Sequence, residues 1–84
     1  MIHELKTWID YFELIRNGKK SFELRKNDRG FLVGHELLLR EYDKDKKVYT
    51  GRKLRRRVTF VLQGEEVEDL GLKKGFCIIG LEKL

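Results

Sequence analysis

Lys20, Ser21, Glu23 and Arg25 crowd into the segment Gly18-Lys19-Lys20-Ser21-Phe22-Glu23-Leu24-Arg25. A carboxylate accepts hydrogen bonds from the N–H groups of a base, and a guanidinium grips phosphate or stacks on a base. A serine beside a lysine is the pair that nucleophilic catalysis uses; the competing reading of Ser21 is a strand hydroxyl bonded locally. Side chains alternate between the faces of a strand, so Ser21, Glu23 and Arg25 share one face, with Glu23 and Arg25 about 7 Å apart, and Phe22 and Leu24 take the other. Strict alternation puts Lys20 opposite them, and it joins Glu23 only if the chain bends or bulges after Gly18. The polar row is either a solvated strand face, where an ion pair is worth little, or the floor of a polar pocket.

Other candidates lie further along the chain. Lys6, at the end of a first strand, reaches the same row or is a surface lysine. Trp8 rims a cleft and stacks on a base, or is core. Asn27 shapes a turn through its own side chain or touches a ligand. His3 is a general base, a stacking ring or a satisfied structural group. His35 stands far away in sequence, and neither histidine has ligands at metal-site spacing, so no metal and no cofactor are expected. The run Arg52 to Arg57 holds five bases in six residues, interrupted by Leu54. On a strand, Lys53, Arg55 and Arg57 share one face and form a phosphate track or an edge guard, while Arg56 sits with Leu54, Val58 and Phe60.

Several elements must hold these residues. Ile2 to Leu5 reads as a strand. Thr7 suits an N-cap, with Asp10 three residues on, and Trp8, Tyr11, Phe12 and Ile15 follow at helical spacing. Asn17-Gly18 stops that helix, because glycine accepts the left-handed conformation at the C-terminus. Strands are expected at 21–26, 36–42 and 76–81. Asn27 to Gly30 is a turn and Asp43 to Lys47 a charged hairpin tip. A return begins at Val48 to Thr50 and breaks at Gly51, and the longest strand runs from Lys53 to Leu62, alternating at Val58, Phe60 and Leu62. Gln63 to Gly75 is irregular, with one helical turn. One helix amid five or six short strands implies an α+β, mainly β architecture, a bent sheet or partly closed barrel.

The 84 residues make one domain, 1–84. Its core is limited at this size, and the lone Cys77 is a small core side chain rather than part of a disulfide framework. There is no secretory leader and no apolar run of membrane-spanning length, so a soluble, cytoplasmic protein without a membrane partner is expected. Net charge is +5, with 39% charged residues. Two basic segments, 16–29 and 52–57, suggest a polyanionic partner such as RNA, DNA or a nucleotide; a solvated surface with guarded strand edges is the alternative.

The order strand, aromatic helix, Gly18-x-Lys20-x-x-Glu23-x-Arg25 resembles the ASCH domain family of the PUA-like superfamily. His3-Glu4-Leu5-Lys6, Phe12, Arg25-Lys26-Asn27-Asp28-Arg29, Phe31, Val33-Gly34 and Glu41-Tyr42 extend the resemblance to a small bacterial and phage ASCH-like group once catalogued as a domain of unknown function. The chain departs from that group at Ile9, near which a proline is usual, and at His35, where aspartate is usual. The resemblance implies a PUA-like pseudobarrel of five to six short strands, with a cleft beside the helix lined by the motif. It implies recognition of RNA or of a modified nucleotide or nucleoside in a Lys20–Glu23–Arg25 cleft; the reading of the residues adds Lys6, Trp8, Ser21 and Asn27 around it and Lys53, Arg55 and Arg57 on phosphate. One ASCH branch is similar to an amidohydrolase that deacylates N-acetylcytidine with a lysine, a threonine and a distant glutamate. Its lysine falls on Lys20, its threonine on Glu23, and its glutamate among Glu65, Glu66 and Glu68. The alternative function is therefore a metal-independent amidohydrolase acting on an N-acylated cytidine-like nucleoside, with Lys20 and either Ser21 or Glu23 as catalytic groups.

Overall fold

A computed structural model describes residues 1–84. Strand β1 (Ile2–Trp8) leads into helix α1 (Ile9–Arg16), then β2 (Phe22–Lys26), β3 (Glu36–Asp43), the long β4 (Val48–Gln63), a helical turn α2 (Gly64–Val67), a 3₁₀ turn (Glu68–Leu70) and β5 (Phe76–Lys83). The five strands form one sheet in the order β1-β3-β4-β5-β2, with β1 parallel to β3 and every other pair antiparallel. The architecture is mainly β, a curled half-barrel with one short helix after the first strand. No helix is long and apolar enough to cross a membrane.

Alternation explains the core. His3, Leu5 and Thr7 of β1 and Leu37, Leu39 and Glu41 of β3 face inward, in register pair by pair. Leu5, Ile15, Phe31, Leu37, Leu39, Val58, Cys77, Ile79 and Leu81 pack together inside the curl. The helix supplies Phe12 and Ile15 to the interior. Trp8 and Tyr11 stay nearly half exposed, outside the core that their helical spacing suggested for them.

Four local expectations are corrected. First, β1 runs on through Thr7 to Trp8, so Trp8 holds the N-cap position and no side chain caps the helix. Thr7 is instead an inward strand residue opposite Glu41, because the inward alternation that starts at His3 outlasts the capping signal. Second, Gly51 does not break β4. With φ at +96° it forms a bulge, in which Thr50, Gly51 and Arg52 together oppose Glu41. Third, a second bulge at Thr59, between the Val58–Leu81 and Phe60–Gly80 pairs, reverses the phase of β4. Val61 then packs against the core and Phe60 is 59% exposed, so the alternation Val58, Phe60, Leu62 does not describe one face. Fourth, Ser21 lies just before β2 rather than within it.

The order of strands leaves β1 and β2 as the two edges, and the curl brings these edges together. Two arginines bridge the seam. Arg25 donates to the Lys6 carbonyl, and Arg29 Nη1 donates to the Glu4 carbonyl at 2.6 Å. Carbonyls two residues apart on a strand turn to the same edge, so the guanidinium groups occupy acceptors that a neighbouring strand would otherwise take.

Candidate functional site

The seam opens beside α1 into a cleft of about 370 Å³, lined by Lys6, Thr7, Trp8, Tyr11, Glu23, Leu24 and Arg25. Its floor depends on how β2 begins. Gly18, at φ +83°, turns the chain after α1, and Lys20 N–H donates back to the Leu14 carbonyl at 2.9 Å. The chain thus folds over the last turn of the helix before it enters β2. This is the bend that Lys20 needs. Its ammonium lies 3.2 Å from Glu23 Oε1 and 4.7 Å from the centre of the Tyr11 ring.

The alternation of β2 is turned polar side in. Glu23 is 6% exposed, while Phe22 and Leu24 lie on the outside. Of the polar row, Glu23 and Arg25 line the cleft and Ser21 does not. A buried carboxylate is tolerated only when compensated, and Lys20 compensates Glu23 through Oε1. Oε2 sits 3.7 Å from Arg25 Nε, outside hydrogen-bonding distance, and has no hydrogen-bond donor from the chain. That oxygen is an open polar position of the cleft, and the Thr7 hydroxyl is fully buried without a partner. Lys6 and Arg25 add positive charge at the walls, and Trp8 and Tyr11, stacked with 20° between their planes, add an aromatic rim.

The structure therefore gathers Lys6, Trp8, Glu23 and Arg25 around one cleft, while Lys20 pairs with Glu23 from outside the lining, in the hollow it shares with Ser21. Ser21 is not among its lining; it is exposed and faces a small hollow shared with Gly18 and Arg56. Asn27 lies past the far end of β2, where its N–H donates to the Gly75 carbonyl at 2.8 Å and its side chain reaches Gln63 at 3.4 Å, tying β2 to the 63–75 loop. Glu65, Glu66 and Glu68 lie on α2 and the 3₁₀ turn, and none lines the cleft. Lys53, Arg55 and Arg57 do share the outer face of β4, yet Arg55 pairs with Glu36 at 2.6 Å and Arg57 with Glu82 at 3.5 Å. Arg56 faces inward and is buried. It donates to the Ile15 carbonyl at 3.3 Å, where the negative end of α1 favours a cation.

Thr7 and Tyr11 are cleft residues that sequence reasoning missed. The signal for Thr7 was the inward series His3, Leu5, Thr7, which competes with its reading as a cap. His3 and His35, far apart in sequence, meet at 2.9 Å between Nε2 and Nδ1. Burial holds the His3 imidazole below its ordinary pKa, with His35 and Arg29 adding in the same direction. The pair joins the start of β1 to the loop before β3, away from the cleft. Burial raises the Cys77 thiol, consistent with a core side chain.

Fold and cleft together define a small curled-sheet domain with a polar, aromatic-rimmed cleft at its seam. The chain belongs to the family described as Domain of unknown function (DUF3850), which matches residues 2–81. It is 45% identical over 60 residues to the "Uncharacterized 12.9 kDa protein in GpA 3'region" of Escherichia phage P2. That match covers 71% of this chain and 53% of the phage protein, so the chain spans about half the length of this relative.

Proposed function

We propose that this is an ASCH-like, PUA-like binding module that takes the base of an RNA nucleotide, or of a modified nucleotide or nucleoside, into the seam cleft. The observation that carries this reading is the buried Glu23 carboxylate, held by Lys20 with Oε2 left without a donor. A base edge bearing N–H groups supplies the donors which that oxygen lacks. Trp8 and Tyr11 offer stacking surface, and Lys6 and Arg25 favour the attached phosphate. A volume of about 370 Å³ suits one nucleoside-sized ligand.

The test is titration of the parent, Glu23→Gln and Arg25→Ala with nucleosides, nucleoside monophosphates and short RNA across a salt series. Glu23→Gln replaces an acceptor-only oxygen pair and is expected to weaken binding about tenfold, since hydrogen bonds to charged groups are worth roughly 1.5–3 kcal/mol. Arg25→Ala is expected to weaken phosphate-bearing ligands more than nucleosides. Parental affinity in both variants across the series rejects the reading.

One observation favours the amidohydrolase alternative: Thr7, a threonine that the motif alone lacks, lines the cleft, and its buried hydroxyl has no partner. Ultraviolet-monitored turnover of N-acetylcytidine by the parent, lost in Lys20→Ala and Thr7→Val, is its expected signature. No turnover by the parent disposes of it.

A further inference from the structure

The outer face of the sheet beside the cleft carries two adjacent rows that cross three strands. Strand register sets Lys6 of β1, Arg40 of β3 and Lys53 of β4 side by side. The next outward positions are Trp8, Tyr42 and Tyr49, again side by side. A row of cations therefore lies against a row of aromatic rings. The bulge at Gly51 permits this: Lys53 and Tyr49 are four residues apart on β4, yet they oppose Arg40 and Tyr42, which are two apart on β3.

The rows touch. Lys6 Nζ lies 4.2 Å from the centre of the Tyr42 ring, and the Arg40 guanidinium 3.9 Å from that of Tyr49. The Tyr42 and Tyr49 rings meet edge to face at 5.1 Å. Trp8, Tyr11 and Tyr49 are 45%, 46% and 43% exposed, an unusual amount of aromatic surface for so small a domain. Arg40 pairs with Glu4, but neither Lys6 nor Lys53 has a carboxylate partner. Asp43 and Asp45 stand at the hairpin end beside Trp8 and Tyr42, and Asp43 is engaged by the backbone of its own turn. Lys44 also stands there, its ammonium 4.4 Å from the centre of the Trp8 ring, so cations flank the aromatic row on both sides.

We propose that this face is a platform for single-stranded nucleic acid, so that the cleft ligand is one nucleotide of a strand whose neighbours lie across β1, β3 and β4. The proposal rests on the cleft reading for its starting nucleotide, because Lys6 and Trp8 belong to both surfaces. Bases stack on the exposed rings, and phosphates replace ring faces as partners of Lys6, Arg40 and Lys53. The three strands span about 10 Å, room for about two nucleotides beyond the cleft. Ring faces beside cations suit planar bases joined by phosphates. An acidic peptide has no use for the aromatic row.

The test compares the four nucleoside 5′-monophosphates with a single-stranded RNA octamer of mixed sequence, on the parent, Tyr49→Ala, Tyr49→Phe, Lys53→Gln and Glu23→Gln. Tyr49 and Lys53 are outside the cleft and exposed, so their variants keep the fold and the mononucleotide affinity. Tyr49→Ala is expected to weaken the octamer about tenfold, as loss of one stacked base does, and Tyr49→Phe to restore it. Lys53→Gln is expected to lower the slope of log affinity against log salt by about 0.7 for the octamer. Equal octamer affinity in the parent and Tyr49→Ala overturns the platform, as does an octamer bound no more tightly than a mononucleotide. A Tyr49-dependent preference for polyglutamate over RNA overturns it too, assigning the face to an acidic peptide. Failure of the cleft reading looks different: Glu23→Gln then leaves mononucleotide binding unchanged, whatever Tyr49 does to the octamer.

Discussion

The segments 18–25 and 52–57 both concentrate cations, and the fold uses them in opposite ways. In the first, Lys20 and Arg25 converge on one buried carboxylate, and Glu23 and Arg25 line a cleft. In the second, the cations spread over both faces of β4: Arg55 pairs with half-buried Glu36 and Arg57 with exposed Glu82, Arg52 reaches exposed Glu13 and, at 3.7 Å, buried Glu41, and Arg56 turns inward to the end of α1. Charge density in a sequence is therefore a poor guide to which charges matter. What separates the Lys20–Glu23 pair from the Arg55 and Arg57 pairs is desolvation. An ion pair on the surface exchanges one set of polar partners for another, whereas a buried carboxylate has no water to fall back on if its partner is lost.

The contrast is broken most directly at Lys20. Lys20→Met keeps the aliphatic stem but leaves Glu23 with Arg25, at 3.7 Å, as its only ion-pair partner. Removing one member of a buried pair typically costs several kcal/mol, and a loss of about 3 kcal/mol in urea denaturation is expected. A loss below about 1 kcal/mol would place this pair with the surface pairs of β4 and erase the distinction.

The second test sharpens the comparison within β4 itself. Arg56→Met removes a guanidinium that serves the Ile15 and Arg55 carbonyls. A cost of about 2 kcal/mol is expected, the range for hydrogen bonds from a charged donor. Arg55→Ala and Arg57→Ala, which break exposed pairs, should each change stability by less than about 1 kcal/mol. Three equal losses would mean that position in the strand, rather than burial, sets the value of each arginine.

The smallest effect expected is pH-dependent and lies outside both segments. His3 has a lower pKa in the folded chain than its ordinary value of 6.5. Just below that pH the unfolded chain binds more protons than the folded one, so stability falls as pH drops below about 6.5, and the loss is complete once the pH is under the folded value. Thermal unfolding of the parent and of His3→Gln between pH 5 and about pH 8 measures this. The parent should lose stability toward acid and His3→Gln should lose less. Identical slopes would remove the His3–His35 pair as the acid-sensitive contact.

Much of the framework was legible locally. Asn17-Gly18 marked the end of the helix, Phe12 and Ile15 marked its buried face, and period-two patterns placed β2, β3 and β5 to within a residue or two. The errors cluster where two local signals compete. Thr7 carries both a capping residue type and a strand phase, and the strand phase wins because its side chain is covered by the sheet. Phe60 has the right phase until the bulge at Thr59 shifts it, and that bulge is set by pairing with Gly80 and Leu81, which lie across the strand pair and far along the chain.

The cleft was legible in its residue types and not in its geometry. The sequence by itself determined a small, mainly β domain with a helix after its first strand, and it put Glu23 and Arg25 on one strand face with Lys20 nearby in the chain. Only the tertiary structure decided that the polar side of β2 faces inward, that Lys20 swings round to Glu23, and that Thr7 and Tyr11 complete the site. The reason is that an alternating strand specifies two faces without saying which is inside. That choice is made by the closure of the sheet, when Arg25 and Arg29 bind the edge carbonyls of β1 and the Glu23 face of β2 turns to the interior.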